Sequence, residues 1–318
     1  MRKYAIRRVI DSLVTLFLII VANFFLFRLI PGDPIRMMAK VQRLRPEAVE
    51  RLQKLYGLHL PMWQQFFLYM RNLFTFQFGL SIKYMVEAAP LIFEKLWNSI
   101  LLLTISGLLA LIIGTVLGLI SGWHRGKAGD ISMVSASLFF WCMPTFWISM
   151  VFAATFVGIL PISGMTSLPP PEGPLYVHLL DLGRHLLLPT IVMTILYLGE
   201  MLLIARNEVT NIVTQDYITT ARAKGLKAHQ IISRHVLRNA SLPLISNAAL
   251  SLAFIAGGAL QTEMIFNWPG IGRLMYDAVL ARDYPVLQGS FYIMSVAILV
   301  ANVLTDITYK FIDPRVEY

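Results

Sequence analysis

Six histidines, one cysteine and a carboxylate inside an apolar run are the residues from which chemistry would be sought first. His59, His124, His178, His185, His229 and His235 are scattered, and no His-Glu-x-x-His pair sets two imidazoles on one helical face for zinc. His178 and His185 flank Asp181, a spacing that is weak as a metal site, so no metal is expected. No Gly-x-Ser-x-Gly elbow offers a nucleophile. The stretch "SGWHRGKA" shares a glycine and a lysine with a phosphate loop. Ser121 nevertheless holds its first glycine position and Ala128 its hydroxyl position, and it follows an apolar run rather than a strand. The sequence therefore shows no site for hydrolysing ATP, and any energy input must come from a partner or an ion gradient. Cys142 is single and forms no intrachain disulfide. Glu200 lies about two-thirds through an apolar run. An ionisable residue there is a pathway candidate by default; the alternative is snorkelling, or pairing with a nearby arginine such as Arg206.

The elements that must hold these residues are hydrophobic helices. The chain has 318 residues, of which 57% are hydrophobic and 14% charged, against about 25% charged in a soluble domain. Runs of about 20 apolar residues cross the hydrocarbon core, and six spans are expected, near 9–30, 99–121, 131–160, 186–205, 240–262 and 286–309. The fold class is all-α, a single polytopic membrane domain over 1–318. The third span contains Pro144, so a tilt or kink is expected. The formal charge of +9 fits positive-inside loops better than nucleic acid. Segments 1–8, 123–129, 206–238 and 310–318 carry four, two, six and two Lys/Arg, whereas 161–185 and 263–285 carry only Arg184, Arg273 and Arg282. Both termini are thus expected in the cytoplasm. Segment 31–98 is an extracytoplasmic insert with a short helix, "PEAVERLQKLYG", closed by Gly57. A second helix begins near Pro61 and bears Trp63, Phe66, Phe67, Met70 and Phe74. It is expected on the outer membrane surface or capping the spans.

Two loops stand out. Segment 206–238 reads as helix, Gly225 stop, helix on the cytoplasmic face. Small residues Thr219, Thr220, Ala221, Ala223 and Gly225 would let another surface approach, and Arg222 and Lys224 would supply rim charge. The outer loop "NWPGIGR" sets a turn with Pro269, Gly270 and Gly272. Phe266 and Trp268 give it an apolar body at interface level, so it is either an outer gate and binding-protein contact or a structural turn. Ser132, Ser135, Ser137 and Thr145 are expected to face a partner helix.

The stretch "DYITTARAKGLKAHQIISRHVLRNASLPLI" resembles the cytoplasmic EAA loop of ABC-importer permeases, in the version of the dipeptide, oligopeptide and nickel branch. "FRLIPGDP", "YGLHLPMWQQFFLYMRNLFTFQFGLSI", "MPTFW", "TEMIFNWPGIGRLMYDAVLARDYPVLQG" and "DPRVEY" resemble that branch in order, nearly end to end, and point to its B-type first subunit. Thr219, Thr220 and Ala221 stand where the general pattern has Glu-Ala-Ala, and Gln77 stands where many relatives have Asp. The resemblance implies half of a translocation pathway, paired with a homologous second permease in the lipid bilayer. It also implies two cytoplasmic ATPases using ATP and Mg, an extracytoplasmic binding protein, and no cofactor bound by this chain. Tyr217, Thr219, Thr220, Ala221, Arg222, Ala223, Lys224, Gly225 and Leu226 would form the coupling helix seated on one ATPase. Peptides lead as cargo, followed by nickel chelates, glutathione and oligosaccharides. A stand-alone secondary transporter is the remaining alternative.

Overall fold

In hydrocarbon a backbone must satisfy its own N–H and C=O groups, and a helix does so within one segment. The computed structural model describes residues 2–29, 45–47, 49–50, 59–241, 243–245 and 259–312. Its helices are α1 (Arg2–Leu29), α2 (Met62–Phe74), α3 (Ala88–Trp123), α4 (Ala128–Trp141), α5 (Thr145–Phe156), α6 (Leu175–Val213) and α7 (Asp216–Ala223). They continue with α8 (Ala228–Ile231, running on through a π-helical turn at Ile232–Val236), α9 (Leu260–Ile265), α10 (Ile271–Ala281) and α11 (Tyr284–Ile312). Among the described residues the only β feature is one isolated bridge, Leu80 to Glu87. The all-α reading stands.

Four helices are long and apolar enough to cross a membrane, at Ile6–Phe27, Ala88–Trp123, Leu175–Val213 and Tyr284–Thr305. The expected third span is instead a broken pair: α4 and α5 meet at 98°. Pro144 has no N–H to continue the ladder, and its extended backbone makes it the N-cap of α5. The expected span at 240–262 falls mostly on 246–258, outside the described residues, as do most of the 46–57 helix and the opening and closing signatures. α6 is much longer than the expected 186–205. Residues 175–185, read as part of an outer loop, are helical, and their polar side chains find local partners. Asp181 accepts the Ser167 N–H at 2.8 Å and the Ser167 hydroxyl, and His185 Nδ1 lies 2.9 Å from Asp181 O.

The chain divides into two compact units, Met1–Trp97 with Gly270–Val303, and Asn98–Pro269 with Leu304–Tyr318. In the first, α2 packs on α1 through Phe24, whose ring meets Phe66 and Tyr69 at 5.2 and 5.5 Å. Asn23, buried on α1, donates to Tyr69 OH at 2.8 Å and to Gln288 O on α11 at 3.3 Å. Burial holds the Tyr69 phenol well above its ordinary range. The apolar face expected on this helix is therefore split: Phe66 turns to α1, while Trp63, Phe67 and Phe74 stay exposed. The segment after α2 is tied down by Asp283, the N-cap of α11. Its fully buried carboxylate accepts the Ser81 hydroxyl, the Lys83 N–H at 3.0 Å and the Val286 N–H at 3.4 Å.

In the second unit α3 lies against α6 along a stripe of glycines. A Cβ at Gly114, Gly118 or Gly122 would fall 2.6 Å from Met201 Cβ, 2.4 Å from Ala205 Cβ and 2.8 Å from Val209 Cβ. Small residues four apart let two helix backbones meet where no hydrophobic effect drives them together. α4 approaches α6 in the same way at Gly199, whose Cβ would meet Ser137 O at 2.9 Å. Ser137 is thus buried inside the chain rather than facing a partner, while Ser132 and Ser135 are exposed. α5, α6 and α9 close over Ile148, Leu188, Val192, Met193 and Phe266.

Candidate functional site

The 206–238 segment folds as a strapped helical hairpin, with 206–213 completing α6. Thr214 and Gln215 turn the chain into α7, whose Ile218 and Ala221, three positions apart, share one face. Both are buried in a cluster with Val209, Ile212, Ile231, Val236 and Ala240, against which Leu119, Trp123 and Leu226 pack. Burying Ile218 alone stabilises this arrangement by roughly 1.5–3 kcal/mol.

The stop at Gly225 is a Schellman turn. The Gly225 N–H donates to Arg222 O at 3.0 Å and the Leu226 N–H to Ala221 O at 3.2 Å, with Gly225 at φ +81°. Nothing lies within 4 Å of a Cβ built on Gly225. Its backbone conformation, rather than crowding within the chain, is what calls for glycine. Two further straps hold α7. Tyr217 OH accepts from Asn239 Nδ2 at 2.9 Å, and the Arg222 guanidinium sits over the Trp123 ring at 5.4 Å.

This arrangement sorts the expected residues. Thr219, Thr220, Ala223, Lys224 and Gly225 form an exposed surface, and Tyr217 and Arg222 are exposed but used as straps. Ala221, expected at a partner contact, is packed inside instead, and Leu226 is half-buried. Ile218, which sequence reasoning passed over, is the anchor. Its three-residue spacing from Ala221 was a readable signal.

In the outer loop the side chains favour the structural-turn alternative over an apolar body at interface level. Trp268 and Phe266 are buried rather than presented at an interface. The indole N–H of Trp268 donates to Asn98 O at 3.0 Å, Asn98 Nδ2 donates to Pro269 O at 3.0 Å, and Phe266 O accepts the Gly164 N–H at 2.9 Å. The exposed tip is Asn267, at φ +51°. Beneath it Glu263, fully buried, accepts the Ser99 hydroxyl at 2.6 Å. Gly270 caps α10 and Gly272 lies in its first turn, both buried within the other unit. Trp268→Ala is therefore expected to cost about 3–5 kcal/mol of stability, read as a lower unfolding temperature of the purified protein. An unchanged temperature would show that the ring contributes no packing.

Glu200 is half-buried on α6. Arg206, offered as its partner, is engaged elsewhere. Its Nε and Nη2 donate to the two oxygens of Asp130 at 2.6 and 2.8 Å. Sequence reasoning missed that pair, because 76 positions separate its members.

Residues 114–318 match the family described as "Binding-protein-dependent transport system inner membrane component", and residues 1–86 match the family described as its N-terminal part. The chain belongs to this binding-protein-dependent transport family. The permease is 32% identical to the oligopeptide transport system permease protein AppB of Bacillus subtilis, over the full length of both chains. It is 30% identical to the dipeptide transport system permease protein DppB of Escherichia coli K12, covering 100% of this chain and 99% of that one. A solved structure of the MetNI methionine ABC transporter in inward-facing conformations superposes with a TM-score of 0.55. That match covers 70% of the permease and 96% of the other chain at 15% identity, which shows the shared fold. The permease is a multi-pass component of the inner membrane.

Proposed function

We propose that this permease forms half of the translocation pathway of an ATP-driven importer for di- or oligopeptides, with α7 as the helix that docks on a cytoplasmic ATPase. The cargo reading rests on the full-length similarity to permeases named for oligopeptides and dipeptides. The mechanical reading rests on one observation: α7 presents Thr219, Thr220 and Ala223 outward while Ile218 and Ala221 lock its other face into the chain. A small-residue surface on a rigidly held helix is what a shape-matched groove needs. A load applied to α7 then moves the helices it is bonded to rather than bending a loop.

In this reading the N-terminus and the 206–238 segment face the cytoplasm. A homologous second permease completes the pathway, two ATPases hold ATP and its Mg²⁺ ion, and an extracytoplasmic binding protein delivers cargo. Ala223→Trp tests it, because Ala223 is exposed and a larger side chain there leaves the internal packing intact. The variant is expected to insert and pair with the second permease, lose the ATPase subunits on purification, and abolish uptake of labelled di- and tripeptides into proteoliposomes. Normal ATPase retention with normal uptake would overturn the docking role of α7. Uptake of neither peptide by the unsubstituted importer would overturn the cargo.

A further inference from the structure

At the end of α6 that leads into α7 lies a buried carboxylate with four donors. Asp130 is 2% exposed. It accepts Nε and Nη2 of Arg206 from α6, the hydroxyl of Ser121 from α3, and the Gly126 N–H at 2.8 Å from the turn between α3 and α4. Two parallel N–H···O bonds to both carboxylate oxygens fix the relative orientation of guanidinium and carboxylate as well as their distance. The pair thereby makes one rigid joint of three helix ends. Arg206 is on the face of α6 that meets the glycine stripe: its N and O lie 3.0 and 2.9 Å from the Cβ positions of Gly118 and Gly122. Asp130 lies in the first turn of α4, the first half of the broken pair.

We propose that Asp130 and Arg206 are positioning residues that make α4, and with it the break at 142–144, follow the movement of α6 when α7 is displaced. This rests on the reading of α7 as the ATPase-docking helix. The apolar cluster around Ile218 ties α7 to α6, α8 and the end of α3, but it includes no α4 side chain. The α4–α6 approach at Gly199 is made by Ser137 and Trp141, at the other end of α4 from Asp130. Among the described residues the bidentate pair is the ionic link between α6 and α4, and it fixes the first turn of α4 against α6 in distance and orientation.

The test uses the assembled importer in proteoliposomes. Asp130→Asn keeps the shape but loses the charge and the bidentate geometry, and uptake of a labelled dipeptide per ATP hydrolysed is expected to fall on the order of tenfold. A second variant carries Asp130→Asn and Arg206→Met together. It removes the stranded guanidinium, which restores stability when a pair matters only to folding. Here it is expected to assemble normally and remain uncoupled. Spin labels at Ser132 on α4 and Asn211 on α6, both exposed, in a Cys142→Ser background, report whether α4 follows α6. Their distance is expected to stay fixed with ATP and vanadate in the parent and to change in the double variant, where α6 moves without α4.

Normal uptake per ATP in both variants, or a label distance that stays as fixed in the double variant as in the parent, would overturn the proposal. So would failure of both variants to assemble, since folding would then account for the pair. If Ala223→Trp loses the ATPases while the Asp130 variants couple normally, only this inference fails. If Ala223→Trp behaves as the parent, the docking reading itself has failed.

Discussion

Gly118→Ala should markedly lower the unfolding temperature of the permease, whereas Gly107→Ala on the same helix should be tolerated. The new methyl at 118 would lie 2.4 Å from Ala205 Cβ and 2.7 Å from Leu202 O, with the Arg206 N at 3.0 Å. Two of those three atoms are backbone, so no rotamer change relieves the overlap, and α3 must move off α6. Overpacking of this kind costs about 3 kcal/mol, a large part of a folding free energy of roughly 5–15 kcal/mol. Gly107 has nothing within 4 Å of its Cβ position. Alanine there gains helix propensity of up to about 1 kcal/mol. Opposite shifts in unfolding temperature would confirm that the stripe is a contact. Removing the Ala205 methyl in a Gly118→Ala, Ala205→Gly double variant should recover part of the loss and leave the part due to Leu202 O. Equal behaviour of the two alanine variants would sink the close-approach account.

Asp283→Leu should release the segment after α2 and destabilise its unit by about 3 kcal/mol, since each buried donor left without an acceptor costs roughly 1–3 kcal/mol. The carboxylate is fully buried and serves the Ser81 hydroxyl and the N–H groups of Lys83 and Val286. Trypsin should then cut after Lys83 in the variant under conditions where the parent resists. Asp277→Asn is the control. Asp277 pairs with Lys83 at 3.1 Å and accepts Tyr84 OH at 3.1 Å, but both ion-pair partners are partly exposed. An exposed pair contributes about 0–1 kcal/mol. Matching digestion of the Asp277 and Asp283 variants would show that burial of the carboxylate is not what holds the segment.

The helical class and most apolar runs were legible because a bilayer imposes length and composition on any segment that crosses it. Which face of a helix is inside was less so. Trp268 next to Pro269 has the composition of an interfacial turn, and only its bond to Asn98, 170 positions away, shows that it is a core residue. Residues 175–185 fell outside the apolar run at 186–205, and an apolar run does not mark where its helix begins when polar side chains such as Asp181 have a partner within reach, here Ser167. The hairpin at 206–238 was readable down to its glycine stop, since a Schellman turn is local. The side of α7 that faces the chain was also available, in the spacing of Ile218 and Ala221. The glycines at 114, 118 and 122 were visible as a four-residue repeat. Their partners Met201, Ala205 and Val209 share that spacing on another helix, and no single segment reveals such a match.

The break at 142–144 also bears on biosynthesis. α4 has 14 residues and α5 has 12, each short of the about 20 that cross a bilayer. Neither half can leave the insertion machinery as a finished segment, and the free carbonyls that end α4 cannot rest in hydrocarbon alone. The groups that receive α4, Gly199 and Arg206, are synthesised only after both halves have emerged. A nascent chain ended before residue 199 would therefore carry a segment that is too short to settle and lacks its partners on α6, with only Ser121 and Gly126 to hold Asp130. The order of synthesis thus leaves α4 and α5 without the α6 groups that receive them until residues 199–206 are made.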